Sequence, residues 1–135
     1  MKTMEYYEDL PDAMSQVELS REFAEVLEAK LETDTGIAAE ALFALSERHW
    51  NTYKLADEKL RFSISKAIPI LWNNADTNRA EILLGVISRM GLGDALRRLQ
   101  EMDRSSFSEG VRIVLEEAIS EFGDTVDDPY FGIKY

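Results

Sequence analysis

The side chains that could do chemistry are few and scattered. His49 is the single histidine and cysteine is absent, so no thiol nucleophile, disulfide or cysteine-based zinc site can form. His49 follows Glu47 and Arg48 and precedes Trp50, with no nucleophile or second ligand spaced to use it. Near a helix C-terminus an imidazole is an ordinary stabilising group. Asp124-Thr125-Val126-Asp127-Asp128 lacks the glycine turn and distal glutamate of a calcium loop. Gly91-Leu92-Gly93 lacks the Lys-Ser/Thr of a phosphate loop and reads as a helix stop with a tight turn. Arg89, Arg97, Arg98 and Arg104 are the one basic concentration, expected to pair with acids or cap helices rather than read phosphate. These residues assign no catalytic group, metal or cofactor, and the expectation is a protein that is not an enzyme.

What is abundant is carboxylate, and it is segregated. Of 135 residues, 1–34 carry ten acids against three bases and 101–135 nine against three, whereas 35–100 hold seven acids and nine bases; the net charge is −11. Two anionic ends repel nucleic acid and anionic membrane and attract a basic partner. Glu18, Glu22, Glu25, Glu28 and Glu32 are spaced to lie along one strip of a helix, either a solvated face or a docking strip for Lys and Arg. Ile113, Glu117, Glu121 and Asp124 share one flank of the last helical segment, followed by Asp127, Asp128, Tyr130 and Phe131. Rings among carboxylates suit a protein-binding patch, the rings supplying buried area and the acids steering. The alternative is that Tyr130, Phe131 and Tyr135 fold back over the domain. Tyr6 and Tyr7 among Glu5, Glu8 and Asp9 raise the same question, with an unstructured terminus favoured.

These residues must be positioned by helices, because apolar spacing is helical nearly everywhere. Ser15-Gln16-Val17-Glu18 has the capping-box form and opens a pattern that stops near Gly36. A second runs from Ile37 toward Trp50, and a third from about Asp57 to Leu71 with Pro69 expected to kink it. Asp76 or Thr77 opens a fourth that Gly91 ends, and a short fifth follows from Asp94. The sixth reads from a capping box at Ser106-Phe107-Ser108-Glu109 to Gly123. Leu42, Leu45, Leu60, Ile64, Leu83, Leu84, Ile87, Leu96, Leu99, Val111, Leu115 and Phe122 are the expected core. Phe62, Ile70, Ile82 and Val86 lie off the main stripes, so the central pair should be covered on both sides.

The fold class expected is all-α, a single domain over 1–135 with acidic, aromatic-containing terminal segments 1–14 and 124–135. About six helices should form three stacked antiparallel hairpins. Ala39-Glu40-Ala41-Leu42 recurs as Ala80-Glu81-Ile82-Leu83, a faint repeat. With Pro69 in a first helix and Gly91-Leu92-Gly93-Asp94 between hairpins, the chain resembles HEAT-like or armadillo-like helical repeat proteins, which implies a right-handed α-α superhelix. Residues 1–9 hold acids and tyrosines where a signal peptide needs an apolar run, and no later stretch is apolar enough to span a bilayer; a cytoplasmic protein is expected. In size, charge and architecture it also resembles the immunity proteins of bacterial polymorphic and contact-dependent toxin systems. That resemblance implies a partner that is a basic toxin domain, such as a nuclease, whose active site the acids would cover. The alternative is an acidic regulatory adaptor or nucleic-acid mimic that binds a host DNA-binding protein.

Overall fold

The computed structural model describes residues 2–29, 31 and 34–130, and over them the chain is all-helical with no strand. The helices are α1 (Met4–Glu8), α2 (Gln16–Glu28), α3 (Thr35–Trp50), α4 (Glu58–Leu71), α5 (Thr77–Met90), α6 (Gly93–Gln100) and α7 (Glu109–Phe122). Short 3-10 turns occupy Arg104–Ser106 and Gly123–Thr125.

Local chemistry explains most boundaries. The Ser15 hydroxyl accepts from the Glu18 amide at 3.1 Å and the Glu18 carboxylate accepts from the Ser15 amide at 3.2 Å, so two of the donors orphaned at the start of α2 are satisfied reciprocally. Asp57 and Asp76 cap α4 and α5 through the Leu60 and Arg79 amides at 2.7 and 2.9 Å. Gly91 ends α5 at φ 68°, a left-handed conformation that glycine adopts without a Cβ penalty. Pro69 falls in the last turn of α4, which ends at Leu71.

The start of α7 corrects the expected cap. Ser108, not Ser106, is the N-cap, accepting from the Val111 amide at 3.2 Å. Ser106 is consumed by the preceding turn, donating to the Asp103 carbonyl at 2.9 Å and accepting from Asn74 at 3.1 Å. Gly123 is also not a left-handed stop; at φ −56° it carries the chain straight into the 3-10 turn.

The expectation for the N-terminus fails as well. Residues 4–8 form α1, packed on α3, and Tyr7 is wholly buried. The Arg48 guanidinium fixes this segment by donating to the carbonyls of Glu8 and Leu10 at 3.2 and 3.1 Å. Two tyrosines among acids look solvated in one dimension, but a ring that finds an apolar pocket recovers about 1.5–3 kcal/mol, which together with the Arg48 hydrogen bonds offsets part of the entropy of ordering the helix.

Alternate helices pack side by side. α1, α3, α5 and α7 make one row, α3 against α5 most extensively, and α2, α4 and α6 make a second. α6 and α7 are not among the closely packed pairs, so the third expected hairpin is not formed as such. Gly85 marks a close approach of α5 to α3 in the first row, since a Cβ there would overlap the Phe43 ring of α3. Ten of the twelve expected core residues are buried; Leu60 and Phe122 are half-buried.

The central pair is not covered on both sides. α5 buries Leu83, Leu84, Val86 and Ile87, but α4 leaves Phe62 60% and Ile70 46% exposed. It packs against α2, α3, α5 and α6, and among the described residues nothing covers Phe62 and Ile70.

Candidate protein-docking surfaces

The carboxylates of α2 divide into two kinds. Glu18 and Glu28 are exposed, but Glu25 accepts the Lys2 ammonium at 2.6 Å and Glu22 accepts the Tyr6 hydroxyl at 2.6 Å. The bond to Glu22 holds the Tyr6 phenol above its usual pKa, and the bond to Glu25 does the same for the Lys2 ammonium. The strip predicted from spacing is therefore partly engaged by the chain's own N-terminal segment, through Lys2 and through Tyr6 of α1. Glu32 lies outside the described residues.

The C-terminal residues also part company. Ile113, Glu117 and Glu121 follow one another at intervals of four on α7, Ile113 is 42% exposed, and both glutamates face solvent. Glu117 and Glu121 border a shallow groove of about 290 Å³ between α5 and α7, together with Glu81 and Arg89. Among the described residues neither glutamate has an ion-pair partner; the only α7 acid that does is Glu116, 3.8 Å from Arg104. Asp124, in the turn beyond, is exposed.

From there the chain leaves α7 and crosses to the far ends of other helices. The Asp127 carboxylate lies against Gly93 and 3.7 Å from Arg97, which Asp94 also holds at 2.6 Å. Those acids raise the Arg97 pKa, the Asp94 bond most strongly. Asp128 accepts the Tyr130 amide at 3.1 Å, closing a local turn. Pro129 sits over Gly91 and its carbonyl accepts from the Trp50 indole at 3.3 Å. The Tyr130 hydroxyl donates to main-chain carbonyls after α3, at 3.0 Å from Trp50 and 3.3 Å from Lys54. Its ring stacks on Trp50 at 5.8 Å and leans on Tyr53 at the same distance. The tail thus straps the α5–α6 corner to the end of α3, and Tyr130 is placed apart from the Ile113 flank. Phe131 and Tyr135 lie outside the described residues.

His49, at the root of this strap, is buried with its ring 6.5 Å from Phe23. Burial pushes its pKa below the ordinary 6.5, with Asp57 pulling weakly the other way. Burial thus favours the neutral imidazole, which packs inside the domain at the end of α3. Among the described residues no group of three His, Asp or Glu could hold a metal ion, and no helix is long and apolar enough to cross a membrane.

The surface that sequence reasoning missed is the outer side of α4. Lys59, Phe62, Lys66 and Ile70 run along it, with the Lys66 ammonium 4.9 Å above the Phe62 ring. On one side a trough of about 690 Å³ separates α4 from α6, bordered by Arg61 and Arg98. On the other a trough of about 660 Å³ separates α4 from α2, floored by Leu27, Leu31 and Leu60. The signal was present: 35–100 is the one segment with more bases than acids, and Phe62 and Ile70 stand off the buried stripe. No family model matches the chain, and searches of curated proteins and of solved structures find no significant match.

Proposed function

We propose that the chain is a protein-binding module of the immunity type, which neutralises a basic toxin domain by covering its active site and performs no chemistry itself. The observation that carries this reading is the α7 flank, where exposed Ile113 is followed by Glu117 and Glu121 without ion-pair partners among the described residues. Like charges at i,i+4 repel by a few tenths of a kcal/mol, and cations of a partner would relieve that repulsion while Ile113 supplies apolar contact. The net charge of −11 would speed encounter with a basic protein and slow it with anionic competitors. The two rows of alternate helices supply the layered helical scaffold that a HEAT-like module would use, although α6 and α7 do not pair as its third hairpin, and a cytoplasmic location would place it where a delivered nuclease acts. The rival reading as a nucleic-acid mimic needs an uninterrupted line of carboxylates. The best such line, on α2, is broken where Lys2 and Tyr6 hold Glu25 and Glu22.

The test is growth protection. Co-expression with a basic toxin domain encoded beside this chain should restore growth, and the double change Glu117→Lys, Glu121→Lys should abolish protection while leaving the circular dichroism unchanged. Protection by the double variant equal to that of the parent would refute the role of this flank. The absence of any toxin reading frame beside the gene would remove the basis for the immunity reading.

A further inference from the structure

Among the described residues the outer side of α4 is a second uncovered surface, and its chemistry is opposite to that of α7. The ion pairs among the described residues are Lys2–Glu25, Arg97–Asp94, Arg97–Asp127 and Arg104–Glu116. None involves Lys59, Arg61, Lys66 or Arg98, although all four border the trough between α4 and α6. A chain with 26 acids and 15 bases has carboxylate available for every cation, yet among the described residues these four have no ion-pair partner, Arg61 donating only to the Ala56 carbonyl at 3.0 Å and Lys66 lying over the Phe62 ring. The acids that border the same trough are Glu58, Asp94 and Asp127, and Arg97 already engages the last two.

The cations surround apolar surface. Phe62 and Ile70 are the two large side chains that α4 turns to solvent, and the second trough beside them is floored by leucines. Isolated exposed apolar residues need no explanation, but a row of them on one helix between two troughs marks an interaction surface. The occupant follows from charge. It must bring carboxylates to Lys59, Lys66 and Arg98, and apolar side chains to Phe62 and Ile70. It must also be short, because beyond this face the protein is anionic and would repel a long polyanion. α4 has 14 residues, about 21 Å at 1.5 Å per residue, which sets the length of a helix that can lie along it. We propose that this face docks a short acidic amphipathic helix of a partner protein in the helix-in-groove manner. The face is separate from the α7 flank, so the proposal stands or falls independently of the immunity reading.

The probe is a fluorescein-labelled 14-residue amidated peptide with leucine at i, i+4, i+7 and i+11 and glutamate at most other positions, titrated with the intact protein by fluorescence anisotropy. A control peptide carries lysine in place of every glutamate. The acidic peptide should bind with a Kd in the micromolar range and the basic one should not bind through this face. Lys59→Glu with Lys66→Glu should weaken the acidic peptide by about tenfold or more, and Phe62→Ala by about thirtyfold if the ring is the anchor. All three side chains are exposed, and an unchanged circular dichroism melt would verify that each variant is folded. Three results would overturn the proposal: no binding of the acidic peptide up to millimolar concentration, binding that the α4 variants leave unchanged, or sedimentation showing that a second copy of the chain occupies this face and excludes the peptide.

Discussion

Replacing Tyr130 by alanine decides whether the tail ring is part of the fold or a ring held ready for a partner. In the structure it stacks on Trp50 at 5.8 Å, and its hydroxyl reaches the Trp50 and Lys54 carbonyls at 3.0 and 3.3 Å. Burying about half of an aromatic side chain, roughly 75 Å² at about 25 cal/mol per Å², contributes about 2 kcal/mol. A single hydroxyl hydrogen serves one carbonyl at a time, so its net hydrogen bond adds about 1 kcal/mol. Asp127 and Pro129 keep their own contacts to Arg97 and Trp50, so only residue 130 is released, returning about 1 kcal/mol of backbone entropy and leaving a net loss of about 2 kcal/mol for Tyr130→Ala. Tyr130→Phe should lose only the hydrogen-bond part, about 1 kcal/mol. Urea unfolding followed by tryptophan fluorescence and by circular dichroism measures both, and Trp50, beneath the ring, reports on it directly. An alanine variant with the parent's urea midpoint and slope would refute the strap. If that variant instead bound the partner more weakly at unchanged stability, Tyr130 would belong to the interface.

Three further outcomes are expected. His49 is the one histidine, and its folded pKa lies below the unfolded 6.5, so the unfolded chain binds the extra proton and stability, full above pH 6.5, should fall as pH drops below it. The slope of urea-derived stability should approach at most about 1.4 kcal/mol per pH unit, and His49→Gln should flatten it between pH 7 and 5. Gly85→Ala gains about 1 kcal/mol of helix propensity but drives a Cβ into the Phe43 ring, an overpacking cost of about 1–3 kcal/mol; a variant more stable than the parent would contradict the close α3–α5 approach. Leu84→Ala, at a site 4% exposed, should cost about 2–5 kcal/mol, and a change under 1 kcal/mol would show that the site is loosely packed.

What the sequence revealed was local. The Ser15 box and the Gly91 stop depend on residues within one or two turns and are where spacing placed them, the third expected helix begins at Asp57 as read, and of the two candidates Asp76 and Thr77 it is Asp76 that caps the next. Ser106 misled because two serines sat close together, and the contacts that separate their roles are its bond to the Asp103 carbonyl in the preceding turn and one from Asn74, 32 residues away. Tyr7 and Tyr130 were illegible for the same reason. A ring among carboxylates has one composition whether it is solvated or buried, and the partners of Tyr130 lie about 80 residues earlier. Spacing put Glu22 and Glu25 on one face correctly, but it could not show that Lys2 and Tyr6 occupy them. On α4 the pattern identified Phe62 and Ile70 as apolar and off the stripe. Whether a neighbour covers such a face depends on how the rows of helices close, which no periodicity encodes.

The most direct test of the proposed immunity role is the association rate with a basic toxin domain taken from a reading frame neighbouring this chain's own, measured at rising ionic strength for the parent and for the Glu117→Lys, Glu121→Lys variant. Exposed charges are screened beyond about 8 Å at physiological salt, so the parent's on-rate should fall steeply with salt and its off-rate much less. The variant should associate at least about tenfold more slowly at low salt and show a shallower dependence. An on-rate that ignores salt, or a variant that associates like the parent, would contradict electrostatic docking through the α7 flank.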